Sequence, residues 1–133
     1  MTNPKQLFSG SDFNKIFKGK IFVKLTNKSE NHNEYQFETG LNIDKLPFNP
    51  KGECQAGGIY FCLLEDSSFW LNYGGKSMFY IRSVRIPDDA EVWIETYKFK
   101  ADRMILGNRR VTIDDCVQIS TTRFFTWSAL CDL

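Results

Sequence analysis

Residues 40–61 read GLNIDKLPFNPKGECQAGGIYF and connect two apolar segments through a loop that contains Pro47 and Pro50. Proline cannot donate a hydrogen bond to a strand ladder, so the middle of this stretch is predicted to be a loop. Gly57 and Gly58 directly precede residues 59–62, which have the composition of a buried strand. A glycine pair in this position indicates a sharp turn or a close approach of the backbone to another group.

The composition is typical of a charge-balanced globular protein. Hydrophobic residues make up 42% and aromatic residues 15% of the 133 residues, which indicates a packed core. We therefore predict that residues 1–133 form a single domain that needs no disulfide or metal for stability. The 17 basic and 16 acidic residues give a net charge of +1. Proteins that bind DNA or RNA by counterion release carry a basic excess, so no nucleic-acid partner is predicted.

Signals for membrane insertion, secretion and metal binding are missing from the sequence. No apolar run reaches the length of a membrane span, and residues 1–17 are too polar for a signal peptide. We therefore predict a cytoplasmic protein without a membrane partner. The only histidine is His32 and the cysteines show no CxxC spacing, so no metal site is predicted. Cys62 is expected to be buried as a small hydrophobic residue.

The hydrophobic pattern predicts an α+β protein in which strands dominate and three short helices are added. Residues 1–10 are expected to be a frayed lead-in. The predicted helices run from Ser11 or Asp12 to Gly19, from 65 to 73 and from 120 to 130, and the first presents Phe13, Ile16 and Phe17 on one apolar face. The predicted strands include residues 21–26, 58–62, 78–86 and 92–95, of which the last two are expected to pair.

Three residues or pairs are candidates for a site. Tyr60 follows the glycine pair and is either a core tyrosine with one hydrogen-bond partner or a platform on which a ring stacks. Lys24 lies in an apolar strand, where it either points to the open face or buries its ammonium group and marks a site. Asp114 and Asp115 are typical of a turn, with a metal- or ribose-binding pair as the alternative.

The C-terminal aromatic residues Phe124, Phe125 and Trp127 are candidates for an interface. The chain carries more aromatic side chains than one small core needs. Phe124 and Phe125 are adjacent on a predicted helix and cannot both face the core. An exposed aromatic patch on a monomeric domain indicates a partner, so we predict contacts with another protein, with self-association as an alternative.

Eight short motifs occur in an order that resembles the amino-terminal module of giant-virus (mimivirus-type) ankyrin-repeat proteins. They are FVKLTN (22–27), QF (36–37), GLN (40–42), PFNP (47–50), GEC (52–54), GGIYF (57–61), IPDDAEV (86–92) and KFKADRMILG (98–107). The resemblance covers residues 21–107, and no repeat follows, so residues 108–133 are a divergent C-terminal segment. It implies a virus-encoded binding module that acts in the host cytoplasm or virus factory through host–virus interactions.

A more distant resemblance is to ADP-ribosyltransferases of the poly(ADP-ribose) polymerase type. Gly40 and Leu41 match a Gly-Leu motif of that family, and GGIYFC at 57–62 matches its tyrosine motif. The resemblance implies a split two-sheet core with a cleft that holds a nicotinamide nucleotide, the ring being stacked on Tyr60. It further implies that Lys24 and Thr26 lie where the family has a His-Gly-Ser motif, and that Trp70 or Tyr73 supplies a later aromatic contact.

Two departures from this second family decide the expected function. Lys24 replaces a histidine that positions ribose, and residues 111–120 contain Asp114 and Asp115 but no glutamate. We therefore assign no catalytic residue and no cofactor, and predict a protein-binding module on an inactive ADP-ribosyltransferase-like scaffold. One alternative is an active transferase, or a protein that binds NAD or ADP-ribose, with a rearranged site. The other is a structural or self-associating protein.

Overall fold

The computed structural model describes residues 6–32, 34–50, 57–70, 78–96 and 98–111. Within these ranges the chain forms one α-helix, α1 (Gly10–Ile16), and one 3₁₀ helix (Leu64–Trp70). The strands are β1 (Leu7–Ser9), β2 (Phe22–Thr26), β3 (Asn31–His32), β4 (Tyr35–Gln36), β5 (Gly40–Ile43), β6 (Ile59–Leu63), β7 (Tyr80–Arg85), β8 (Glu91–Ile94), β9 (Phe99–Ala101), β10 (Arg103–Leu106) and β11 (Arg110–Val111). The α+β class with a dominant sheet is therefore confirmed.

Nine of the described strands form one sheet, in which every pairing is antiparallel. The strand order is β1-β8-β9-β6-β2-β7-β10-β5, and β11 also pairs with β7. Strand β6 changes partner along its length: its first part, including Tyr60, pairs with β9, whereas Cys62 and Leu63 pair with β2. The β6 strand therefore joins the two halves of the sheet. A separate two-stranded sheet is formed by β3 and β4.

The glycine pair before β6 allows a close approach, as the sequence predicts. Gly57 and Gly58 have φ angles of +95° and +127°, which residues with a Cβ rarely adopt. A Cβ on Gly58 would lie 2.7 Å from Cγ of Lys100. The Gly58 amide donates to Asp44 Oδ2 at 2.7 Å, so the loop after β5 folds back onto the start of β6.

Both faces of the central strands are covered. One face packs against five phenylalanine rings whose contacting centroids lie 4.8 to 5.9 Å apart: Phe13, Phe17, Phe22, Phe61 and Phe99. The opposite face carries a smaller cluster of Val23, Leu25, Cys62, Leu64 and Ile81. This arrangement explains why residues 21–26 show little alternation of apolar and polar side chains. The buried position of Cys62 is confirmed.

The N-terminal expectation was wrong, because residues 7–9 form β1, which pairs with β8. The helix also begins earlier than predicted, at Gly10, with Ser9 as its N-cap, since the Ser9 Oγ accepts a hydrogen bond from the Asp12 amide. Ile16 does not share the buried face with Phe13: it is 57% exposed. The helix has only seven residues, and Phe13 alone among its large apolar side chains is fully buried.

The predicted pairing of residues 92–95 with 78–86 was also wrong, because β8 lies between β1 and β9. The turn between β7 and β8 docks on the start of α1, where the amides of Gly10 and Ser11 donate to the carbonyls of Ala90 and Asp88. This contact directs β8 away from β7.

The α-helix predicted at residues 65–73 is not present. A 3₁₀ helix, Leu64–Trp70, follows β6 directly. The predicted helix at 120–130 lies outside the described residues.

Candidate functional site

The predicted site residues divide between the two faces of the sheet. Val23 on β2 is directly opposite Cys62 on β6, so these two side chains share a face. Side chains alternate along a strand, so Lys24 and Thr26 lie on the other face, whereas Tyr60 lies on the face of Cys62. Lys24 and Tyr60 are therefore not brought together in one cleft.

On the face of Lys24, a buried ion pair joins Glu30 to Arg82. Arg82 Nε donates to Glu30 Oε2 at 2.7 Å and Arg82 Nη2 donates to Oε1 at 2.8 Å. Arg82 Nη1 donates to Thr39 Oγ1 at 2.8 Å and to the Gly107 carbonyl at 2.7 Å. The guanidinium group is thus held by Thr39, which precedes β5, and by Gly107, which lies between β10 and β11. Arg82 is opposite Lys24 in the register of β2 and β7.

Glu30 is the acceptor at the centre of this network. Its Oε2 also accepts a hydrogen bond from the Thr26 hydroxyl at 2.8 Å, and its Oε1 lies 3.5 Å from Nη1 of Arg109. Burial alone would raise the pKa of Glu30, but the hydrogen bonds from Arg82 and Thr26 outweigh it and hold the pKa below its usual value. Glu30 adopts a φ of +51°, an unusual backbone conformation that the surrounding contacts maintain.

Lys24 itself is half-buried, and its Nζ lies 5.0 Å from the centre of the Phe37 ring. Burial lowers the pKa of Lys24 to about 8, an effect that the nearby Cys62 thiol partly opposes. Within the described ranges, no hydrogen bond or ion pair engages Nζ. Thr26 is buried, and its hydroxyl donates a hydrogen bond to Glu30. Of the sequence-predicted residues, these two therefore do lie beside a polar network.

On the opposite face, the ring of Tyr60 is in contact with two ammonium groups. Lys98 Nζ lies 4.6 Å and Lys100 Nζ 5.3 Å from the ring centre. Lys100 is fully buried and donates to the Asn49 carbonyl at 2.8 Å, and Lys98 forms an ion pair with Glu95. Lysine cations over an aromatic face are attracted to its electron density. A ring stacked on the same side of Tyr60 would have to displace these cations.

Glu30 and Arg82 were not singled out from the sequence. Glu30 lies in a polar stretch that is typical of a solvated turn, and Arg82 is one polar residue in an alternating strand. The remaining predicted residues lie outside the described part of the chain: the side chain of Trp70 and the whole of Tyr73, Asp114, Asp115, Phe124, Phe125 and Trp127.

An exposed apolar strip lies at the β5 end of the sheet. Leu41 is 56% and Ile43 48% exposed, and Leu41 is opposite Ile105 on β10. Next to this strip is an open cleft of about 570 Å³. Its lining includes the cations Lys20 and Arg85 and no acidic side chain of the described residues.

Two further observations limit the chemistry of the described residues. In these ranges no three or more His, Cys, Asp or Glu side chains are grouped so that they could hold a metal ion. None of the helices described here has the length and apolar character required to cross a membrane.

Comparison with known proteins yields relatives from Acanthamoeba polyphaga mimivirus. R229, named as an ankyrin repeat protein, is 36% identical over 106 residues, which cover 68% of this chain and 33% of R229. R868, also named as an ankyrin repeat protein, is 34% identical over 98 residues, which cover 68% of this chain and 47% of R868. The chain thus spans a third to a half of these two relatives.

A third relative matches over most of its own length. The uncharacterized protein R869 of the same virus is 33% identical over 101 residues, which cover 72% of this chain and 70% of R869. No family model matches the chain. No solved structure matches it either, and none of the three relatives is named as an ADP-ribosyltransferase. The chain therefore belongs to a family of mimivirus proteins that includes R869 and has members named as ankyrin repeat proteins.

Proposed function

We propose that this chain is a virus-encoded protein-binding module that acts in the host cytoplasm or virus factory. Two of its relatives are named as ankyrin repeat proteins, and repeat arrays of that kind stack into extended binding surfaces. In those relatives the matched region occupies only part of the chain, which supports a module that works beside a partner-binding array. For this chain, we propose one domain over residues 1–133, with residues 21–107 as the module and 108–133 as a divergent segment.

The observation that carries this proposal is the apolar strip of Leu41, Ile43 and Ile105, in which Leu41 and Ile43 are exposed and Ile105 is partly buried. Single exposed apolar side chains are common on soluble proteins, but here two lie on the same face of one strand and a third is opposite one of them. They are held on a hydrogen-bonded sheet, so a partner would bind them at little cost in conformational entropy.

The charge beside the strip favours one class of partner. The adjoining cleft is lined by Arg85 and by Lys20, which is paired with Glu65, and no acidic side chain is among its described lining residues. Arg85 is opposite Ile105 in the sheet, so a cation and the apolar strip lie side by side. We therefore propose that the partner is a protein segment that combines apolar side chains with acidic ones.

For the scaffold, we propose an ADP-ribosyltransferase-like split sheet that no longer binds its nucleotide. The two-part sheet joined through β6 is compatible with that architecture. The lysine contacts on the Tyr60 ring, and the placement of Lys24 on the opposite face, favour loss of the nucleotide site. The protein-binding function therefore has better support than the NAD- or ADP-ribose-binding alternative.

The proposal is tested by affinity capture with three baits from lysates of mimivirus-infected amoebae. The baits are the wild-type chain, the double variant Leu41→Asp/Ile43→Asp, and the control Ile16→Asp, which changes an equally exposed side chain on α1. We expect the wild type and the control to retain the same proteins and the double variant to lose them. A photoreactive amino acid at position 105 should cross-link to the same partner.

Two results would overturn the proposal. The first is retention of the same proteins by all three baits, which would show that the strip is not used. The second is concentration-dependent self-association of the wild type that the double variant abolishes, because the strip would then serve the self-associating alternative. Sedimentation velocity of the three purified chains distinguishes this second case.

A further inference from the structure

The outer side of β5 is an open edge of the described sheet. Among the strands that the structure describes, β5 pairs only with β10. Residues of an antiparallel strand turn their N–H and C=O groups alternately to its two sides. The Asp44 amide donates to the Asp102 carbonyl at 3.2 Å, so Asp44 faces the β10 side, and so does Asn42. Leu41 and Ile43 therefore direct their main-chain groups away from β10.

The main chain of Leu41 is available to a further strand. Within the described ranges, no hydrogen bond engages its N–H or its C=O. The backbone of Ile43 differs, because it already forms a hydrogen bond to the Tyr35 hydroxyl. Leu41 thus presents one donor and one acceptor at the edge. An edge with such a pair is a template for an extended segment of another chain.

The side chain of Asn42 holds this edge in its extended conformation. Asn42 is 1% exposed, and its Nδ2 donates to the carbonyls of Glu38 at 2.8 Å and Gly40 at 2.9 Å. Its Oδ1 accepts from the Glu38 amide at 3.0 Å. The strand is therefore ordered before a partner arrives, which lowers the entropic cost of binding.

The side chains beside the edge define what an added strand must carry. Arg85, Ile105 and Leu41 are opposite one another across β7, β10 and β5, so they form one row on one face of the sheet. A strand added to β5 would extend this row by the residue opposite Leu41. The residue opposite Ile43 would lie on the same face, two positions away. Both must be apolar to cover the exposed side chains of Leu41 and Ile43.

The cleft beside β5 sets the direction of charge along the added strand. Its lining includes Gly40, the first residue of β5, and the exposed Arg85. Every pairing in the described sheet is antiparallel, and we take the added strand to be antiparallel as well. Residues that follow the one opposite Leu41 then lie beside Gly40 and the cleft. Acidic side chains at that end complement the cation.

We propose that β5 binds its partner by strand addition. The partner supplies an extended segment in which two apolar residues are separated by one residue and are followed, towards the C-terminus, by acidic residues. The residue opposite Leu41 exchanges two main-chain hydrogen bonds with it. This inference rests on the protein-binding function proposed above and specifies the conformation and sequence pattern of the bound segment.

A second copy of this chain does not match that pattern. The residues that follow β5 are Asp44 and Lys45. Asp44 Oδ1 accepts from the Leu46 amide at 3.1 Å and Oδ2 accepts from the Gly58 amide at 2.7 Å, so both oxygens already have donors. Lys45 would bring a further positive charge to the cleft. The chemistry therefore favours a different protein as the partner.

The first test selects random dodecapeptides, displayed on phage, for binding to the immobilised wild-type chain. Peptides that also bind Leu41→Asp/Ile43→Asp are removed. We expect the enriched peptides to contain two apolar residues separated by one, followed by Asp or Glu. A scrambled peptide of the same composition should bind at least about tenfold more weakly, because alternation places both apolar side chains on one face.

The second test removes a single main-chain donor and leaves every side chain in place. Leu41 is replaced by its α-hydroxy acid, so that an ester without an N–H replaces the amide. The matched control is the same change at Ile43, whose backbone is already bonded to Tyr35. The dissociation constant of a selected peptide should rise about two- to tenfold for the ester at 41 and stay unchanged for the ester at 43. Circular dichroism checks that both chains are folded.

Several outcomes overturn strand addition. They are equal affinity of the wild type and the ester at 41, enriched peptides without the alternating pattern, and a failure to enrich any peptide. If lysate capture still depends on Leu41 and Ile43 in these cases, the protein-binding function stands and only the mode of binding is wrong. Capture that does not depend on the strip ends both proposals. A dimer that the ester at 41 weakens would assign the edge to a second copy and would also overturn the inference.

Discussion

Arg82 and Glu30 form an ion pair with two parallel hydrogen bonds, and their side chains are only 5% and 3% exposed. The residues are 52 positions apart in the chain, so the pair ties the loop after β2 to the central strand β7. Taking two charges out of water is costly, and removal of one partner leaves the other buried without compensation.

Replacement of Arg82 should therefore strongly destabilise the fold. We expect Arg82→Met to lower the free energy of unfolding by about 3–5 kcal/mol in urea titrations. The control is Lys20→Met, which removes an exposed pair with Glu65 and should cost at most about 1 kcal/mol. Equal effects of the two substitutions would contradict the structural importance of the buried pair.

The ion pair also predicts a dependence of stability on pH. The pKa of Glu30 is lower in the folded chain than its ordinary value of 4.5, so the folded state favours the ionised carboxylate. Its contribution is fully present above pH 4.5 and is lost as the pH falls through the folded-state pKa. Urea midpoints measured from pH 7 to pH 3 should fall more steeply for the wild type than for Glu30→Gln. Parallel curves for the two chains would exclude this contribution.

The close approach of Gly58 to Lys100 predicts a large effect of a single methyl group. Gly19→Ala is the matched control, because Gly19 also has a positive φ, +84°, but a Cβ there meets nothing within 4 Å. We expect the control to lose about 1–2 kcal/mol of stability from backbone strain alone. Gly58→Ala should lose at least about 3 kcal/mol, because the Lys100 side chain must also move from its buried hydrogen bond. Equal losses would show that the Lys100 side chain can move without a further loss of stability.

The lysine contacts of Tyr60 predict that nicotinamide nucleotides do not bind. We expect neither NAD nor ADP-ribose at millimolar concentration to raise the melting temperature of the chain. A ligand that binds only the folded state must raise it, and by more as the ligand concentration rises above the dissociation constant. A rise in the wild type that Tyr60→Ala abolishes would instead support the nucleotide-binding alternative. Release of nicotinamide from NAD would support the transferase.

Local features of the sequence predicted the central strands and the turn before β6. Glycine readily adopts the positive φ angles of Gly57 and Gly58, and the apolar run of β2 is buried on both faces of the sheet. The glycine pair and the apolar run are each only a few consecutive residues long, so both can be recognised in the sequence. By contrast, β1 is only three residues long and shows no periodicity. Its identity as a strand depends on β8, which is more than eighty positions away.

The site was less predictable because it depends on strand register. The sequence places Lys24 and Tyr60 in two strands, but it does not show that Val23 is opposite Cys62. That single pairing puts the two candidates on opposite faces. The Glu30–Arg82 pair was missed for a related reason: a glutamate in a polar turn is normally solvated, and only the tertiary structure reveals its buried partner.

The position of β10 between β7 and β5 has a consequence for how the protein is made. Of the described strands only β10 pairs with β5, so Leu41 finds its partner Ile105 sixty-four residues later in the chain. A ribosome must therefore synthesise the chain beyond β10 before this part of the sheet can close. Until then the apolar strip on β5 is exposed on a segment without its neighbour. We expect slow folding, dominated by long-range pairing, and a period during translation in which chaperones can bind the strip.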